Sequence, residues 1–292
     1  IYNYTETAAL PQIFDEAAAQ GMAVLGHFPV GQAPEQTLDA GMAALAHGQA
    51  FLWFWGENSR LINSASAALA RNDSEIVATL AHWAILASVW GGNPSGLAAY
   101  YARPELRYLH PTSRDLNERS IHGPRFNPPG AVPGELQSRL EFVAAYLRRF
   151  HAEGVPLLLG SDSPTVLGVP GFSAIEELEV MGEQLQLDNI ELLRIGTHNG
   201  GRFVHARVAG SERFGHLAVG QRADLIALSA DPRDDLAHLH QRIGVMAQGR
   251  WYRADGLQAQ IDALALRYAG QSFASEALPQ SLDHGHGSGA GH

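Results

Sequence analysis

Three residues, each closing a short apolar run, have the chemistry of a metal site: His27 ends GMAVLGH, His47 ends GMAALAH and Asp162 ends VPLLLGSD. Imidazole nitrogen and carboxylate oxygen suit zinc, iron, manganese or nickel, and three such ligands serve one ion with an open position but not two ions. The chain has no Cys, so thiolate ligands, disulfides and thiol nucleophiles are excluded. All 20 residues in the Lys-plus-Arg total are Arg, which removes Schiff-base chemistry and any lysine ligand. Taken singly, a His at a strand end or a Ser-Asp pair at a turn is ordinary. What singles these three out is the matching sequence around them.

Each ligand follows the same kind of unit. Residues 7–20 read as a helix, Gly21 stops it, and Met22 to Leu25 form a buried strand leading to His27. Pro34 to Ala40, Gly41 and Met42 to Ala46 repeat the pattern up to His47. Leu136, Leu140, Val143, Leu147 and Phe150 follow helical spacing, and Gly154 precedes the strand that runs into Asp162. Glu75 to Leu86 holds one more strand. Helix, stop, strand is the repeat of a parallel α/β sheet or barrel, in which side chains at the C-terminal strand ends converge on one rim. About four such units are present where a closed barrel needs eight in roughly 250 residues, so the expectation is half a barrel.

The remaining stretches are read from composition. Residues 91–133, rich in Gly, Pro, Arg and Tyr, are expected to be a long loop at the functional mouth, with His122 and Arg125 as candidates for substrate contact. Ser173 to Leu185 and Asp188 to His198 read as helices, the second closed by Asn199-Gly200. From Gly215 the pattern changes to short strands, and the tail from Ser275 is low in complexity. The aromatic run FLWFWG at 51–56 reads as core in preference to a substrate pocket. With a net charge of −10 and no basic run, nucleic acid is not an expected partner. No stretch reaches the roughly 20 apolar residues of a membrane span.

GHFP at 26–29, AHG at 46–48 and GSDSP at 160–164 resemble the fifth-, sixth- and eighth-strand motifs of the amidohydrolase superfamily, in its imidazolonepropionase-like and prolidase-like branch. THNGGRFV at 197–204, GHLAVGQRADLIALSADP at 215–232 and VMAQGRW at 245–251 are similar to later segments of that family. The resemblance covers nearly all of residues 1–254. It implies an α/β fold: the C-terminal half of a metal-dependent (β/α)8 TIM-like barrel over 1–212, a small β-sandwich segment over 213–254, a helix over 255–274 and a tail over 275–292. It further implies one or two divalent ions, zinc first, with His27, His47 and Asp162 as ligands and metal-activated hydroxide cleaving an amide-like C–N bond. Asp162 would also carry the proton to the leaving nitrogen, and His47 would stand near the carbonyl oxygen. The implied substrate is a small amide or dipeptide, the assembly a homo-oligomer, and the location periplasmic or secreted.

Departures from the family pattern are as informative. Nothing supplies the first-strand His-x-His pair, since the HGH at 284–286 lies in the Gly-rich tail, and PGFSAIEEL at 170–178 has Ile175 where a His is usual. The opening IYNYT resembles the residues just past the fourth-strand Lys of the family, so a carboxylated Lys is expected immediately before Ile1 in the complete polypeptide. Tyr2, two positions past it, would share its face of the strand and contact substrate. Within the enzyme class a mononuclear deaminase or imidazolonepropionase-like ring hydrolase is the runner-up. A metal-free barrel serving as a binding or scaffold subunit is the alternative of another class.

Overall fold

The computed structural model describes residues 1–54 and 59–269. In chain order the first elements are α1 (Leu10–Ala19), β1 (Val24–Gly26), α2 (Pro34–Asp39), β2 (Met42–Leu45), α3 (Ser59–Arg71) and β3 (Glu75–Val77). Next come α4 (Leu80–Val89), α5 (Pro94–Tyr101), α6 (Pro111–His122), α7 (Gln137–Ala152), β4 (Leu157–Leu158) and α8 (Phe172–Leu185). The chain closes with α9 (Asn189–Arg194), α10 (Gly200–Arg207), β5 (Leu225–Leu228), β6 (Arg242–Ala247), β7 (Arg250–Arg253) and α11 (Ala254–Tyr268).

A left-handed residue stops each helix that feeds a strand. Gly21, at φ 65°, lets the Met22 amide reach back to the Ala17 carbonyl at 2.8 Å, and Gly154, at φ 90°, lets Val155 reach Phe150 at 2.9 Å. This six-to-one bond satisfies a carbonyl the helix would otherwise leave bare and turns the chain into the strand. Gly41 stands in the same position after α2. After α3 the role falls to Asp73, at φ 49°, with Ser74 bonding back to Leu69 at 2.9 Å.

The four strands so delivered pair in the order β1-β2-β3-β4, all parallel. Gly26 stands opposite Leu45, and Leu45 opposite Ile76, which in turn faces Leu157. Beside β1 the opening residue takes part as well: the Ile1 amine donates to Leu25 at 2.8 Å and the His27 amide donates to the Ile1 carbonyl at 3.3 Å. A Cβ on Gly26 would collide with that carbonyl, which accounts for the glycine of the GH pair. The separate sheet β5-β6-β7 is antiparallel, and Gln248 and Gly249, both at positive φ, make the two-residue turn between β6 and β7.

The core lies between the parallel sheet and its helices. α7 buries Leu140, Val143, Leu147 and Phe150 of the stripe read from sequence, with Ala144 beside them, in one core with Leu45, Ile76 and Phe51; Leu136, the first of that stripe, precedes α7 and is buried in a second cluster. Phe51 is thus core; Trp55 and Gly56 of the same run, like the tail from Ser275 with its HGH, lie outside the described residues. At the N-terminal end of β3, Glu75 is buried and paired with Arg202 of α10 at 2.5 Å; burial pushes its carboxyl up to about 7 against the pull of the arginine.

The strand expected within Glu75 to Leu86 is β3; it ends at Val77 because a left-handed turn at Thr79 starts α4, a helix that buries Leu80, Ala81, Leu86, Ala87 and Val89. Two expectations change. Residues 91–133 are not a bare loop but carry α5 and α6. Both begin with a proline at the first helical position, and both are too short to show a clear period. Asn199-Gly200 does not end a helix: α9 passes through a π-helical turn, Ile195–Asn199, straight into α10, because Asn199 (φ −63°) and Gly200 (φ −59°) both keep right-handed helical backbone and no left-handed cap forms, while the Asn199 side chain donates to the Leu157 carbonyl at 3.0 Å.

Leu147 is wholly buried in this core. Leu147→Ala is predicted to cost about 2–5 kcal/mol of stability by urea unfolding, and a loss below about 1 kcal/mol would contradict the packing described.

Candidate active site

Because β1, β2 and β4 run parallel, the residues beyond their last ladder bonds meet at one rim. The rings of His27 and His47 lie 4.9 Å apart, and Tyr2 stands edge-on to His27 at 4.6 Å. His47 Nε2 is 3.7 Å from Asp162 Oδ1. Tyr2, His27, His47 and Asp162 therefore form one group, with His27 buried and Tyr2 partly exposed. The ring contacts and the ion pair that join this group do not include His122 or Arg125, which lie in the 91–133 stretch: His122 stacks on Tyr101 and lies 3.5 Å from Glu118, and Arg125 covers the ring of Phe126. Ile175, partly buried, packs against the core.

The backbone at this rim is unusual in kind. His47 (φ 73°), Thr79 (φ 55°) and Asp162 (φ 54°) come after three successive strands, and all are left-handed without being glycine. Such residues cost on the order of 1–3 kcal/mol each and collect where function requires a turn. Neighbouring bonds hold them. The Gly48 amide donates to the Ala78 carbonyl at 3.1 Å, which locks the His47 and Thr79 turns together, and the Thr165 amide donates to the Asp162 carbonyl at 3.0 Å. Asn117, buried on α6, clamps the loop after Asp162. It accepts from the Leu167 amide at 3.1 Å and donates to the Tyr100 hydroxyl at 2.7 Å.

Two residues of the site escaped the sequence reading. Thr79 places its Oγ1 3.0 Å from His47 Nδ1 and is itself wholly buried. Glu177 on α8 caps α4, accepting from the Leu80 amide at 2.8 Å and the Ala81 amide at 2.6 Å. Burial pushes the Glu177 carboxyl up to about 8, although both amide bonds favour the charged form. The available signals were a lone hydroxyl between strand and helix for Thr79, and for Glu177 a carboxylate on the stripe Ser173, Glu177, Leu178, Met181, Leu185 that α8 buries.

Two imidazoles and a carboxylate fit a divalent cation in chemical kind. His47 also has its second ring nitrogen on a fixed partner, as ligating histidines do. Among the described residues, however, no three His, Asp or Glu side chains gather closely enough to enclose an ion. The residues supply part of a ligand set.

No family model matches the sequence, and no curated protein matches it either. Solved structures do match, and the likeness is one of fold. A bottromycin amidohydrolase aligns over 91% of this chain and 57% of its own, with a TM-score of 0.65 at 19% identity. An A. niger ochratoxinase aligns over 86% and 46% (TM-score 0.56, 19% identity). A Xaa-Pro dipeptidase with methionine in its active site aligns over 84% and 48% (TM-score 0.55, 17% identity). The chain spans about half the length of the structures it matches. No helix among the described residues is long and apolar enough to cross a membrane.

Glu177 fixes a sign for pH dependence. Its ordinary value is 4.5 and its folded value about 8, so its contribution to stability is complete below 4.5 and is lost as pH rises towards 8. Between about pH 5 and pH 8, Glu177→Gln should therefore lose less stability than the parent protein in urea unfolding; equal losses would show that the buried carboxyl is not held protonated.

Proposed function

We propose that this chain furnishes the later half of an amidohydrolase (β/α)8 barrel, with β1 to β4 as its strands, and that the complete protein hydrolyses an amide-like C–N bond with a divalent metal, zinc first. The observation that carries the reading is the convergence of His27, His47 and Asp162 at one strand-end rim in a fold shared with amide- and peptide-cleaving enzymes. The sheet β5-β7 would then belong to a β-sandwich beside the barrel.

In this reading His27 and His47 would hold the ion and Asp162 would add the carboxylate. When bound, such an ion activates water at neutral pH and polarises the scissile carbonyl. The chain's own residues do the rest. Asp162 Oδ1 takes the proton from the attacking water and passes it to the leaving nitrogen; 30% exposed, it is open enough to meet substrate and sheltered enough to hold a fixed geometry. Tyr2, edge-on to His27, would form a wall of the substrate position. A small N-acyl amino acid or dipeptide is the substrate class.

Asp162→Asn keeps the shape of the side chain but loses its charge and its basicity. In the complete protein it should fold normally and lose about 10²–10⁴-fold in turnover of N-acyl amino acids or dipeptides. His27→Ala and His47→Ala should lower bound zinc in elemental analysis along with rate. Unchanged turnover in Asp162→Asn, or full metal content and rate in either histidine variant, would overturn the reading.

A further inference from the structure

We propose that Thr79 is a positioning residue: its Oγ1 accepts a hydrogen bond from Nδ1–H of His47 and so fixes the tautomer that leaves the Nε2 lone pair at the rim beside Asp162. The inference rests on the proposed reading of His47 as a ligand, and it concerns how that ligand is prepared before any ion arrives. Ligation through Nε2 requires the ring proton on Nδ1, and a neutral imidazole left to itself prefers the opposite arrangement. The Thr79 hydroxyl, held 3.0 Å from Nδ1, has lone pairs to accept that ring proton, and in accepting it reverses the preference.

The geometry is built for this. Thr79 Oγ1 lies 3.0 Å from Nδ1, on the side of the ring away from Asp162, which is 3.7 Å from Nε2. Thr79 is wholly buried, so no solvent competes for the bond. A β-branched residue at φ 55° is strained, and a threonine merely filling space would relax to extended backbone. Instead two devices hold it. Glu177 grips the next two amides, Leu80 and Ala81, and the Gly48 amide, next to His47, binds the carbonyl of Ala78, next to Thr79. A Cβ on Gly48 would press on that same carbonyl and on Leu147, so the glycine of the AHG triplet is what allows the two turns to approach. The ring and its hydroxyl partner are thereby fixed to one another through backbone as well as side chains.

The test is nitrogen-15 NMR of histidine-labelled, metal-free full chain, held at about pH 8, where an ordinary histidine near pKa 6.5 is neutral. The parent protein should show His47 protonated on Nδ1. Thr79→Val, equal in shape but without the oxygen, should move the proton to Nε2 or to a mixture, and Thr79→Ser should restore the parent pattern. In the complete protein Thr79→Val should weaken zinc binding by about 10–100-fold, with Thr79→Ser recovering it. A parent His47 protonated on Nε2, or a Thr79→Val tautomer unchanged from the parent, overturns the inference. Should Thr79→Val fail to fold, the parent spectrum alone decides, because it needs no variant. Zinc binding with the proton on Nε2 in the metal-free form sinks this inference and spares the metal site. Nδ1 protonation without zinc binding upholds the positioning role and sinks the metal site.

Discussion

Parallel strands end on the same side of their sheet, and everything chemical in this chain depends on how the backbone turns there. Three of the four strands lead into a left-handed, non-glycine residue, and those residues are His47, Thr79 and Asp162. A turn of this kind reverses the chain within a residue or two, so that the side chain at the strand end stays over the rim. The conformation is unfavourable, and it persists because the surrounding bonds over-determine it. The Gly48–Ala78 bond, the Glu177 cap on α4 and the Asn117 clamp on the loop after Asp162 each act within a few residues of one of the three turns.

The two ends of the sheet divide their labour. At the N-terminal end the polar contacts tie elements together: Ser74 donates to the Met42 carbonyl, Asn199 to the Leu157 carbonyl, and Arg202 pairs with the buried Glu75. At the C-terminal end the polar groups are imidazoles, a carboxylate and a hydroxyl, gathered at one rim. That asymmetry is the one expected of α/β barrels, where the lower face stabilises and the upper face reacts.

How much of this was legible in the sequence depends on the physics of each element. The helix-stop-strand units were readable where glycine marked the stop, at Gly21, Gly41 and Gly154, because glycine alone takes positive φ without strain. The third stop was not, since Asp73 does the same work in a sequence that reads as a polar loop. The long stripe of α7 was visible because five buried positions repeat at helical spacing, whereas α5 and α6 are too short to establish a period against their Tyr- and Arg-rich background. His27, His47 and Asp162 stood out as chemistry at the ends of apolar runs. Thr79 and Glu177 did not, because their roles exist only once α8 lies against the β3–α4 turn, 96 to 97 residues away in sequence. A buried carboxylate capping a helix from another element leaves no local pattern. Asn199-Gly200 misled because a pair that often closes helices in left-handed backbone here stays right-handed and carries α9 on into α10.

The most direct test of the account is anomalous diffraction at the zinc edge from crystals of the complete protein grown with zinc. The account predicts an ion at the rim, within about 2.0–2.2 Å of a ring nitrogen of His27 or His47 and of an Asp162 oxygen. Zinc found only on other histidines, with the space between His47 and Asp162 empty of anomalous density, would contradict it.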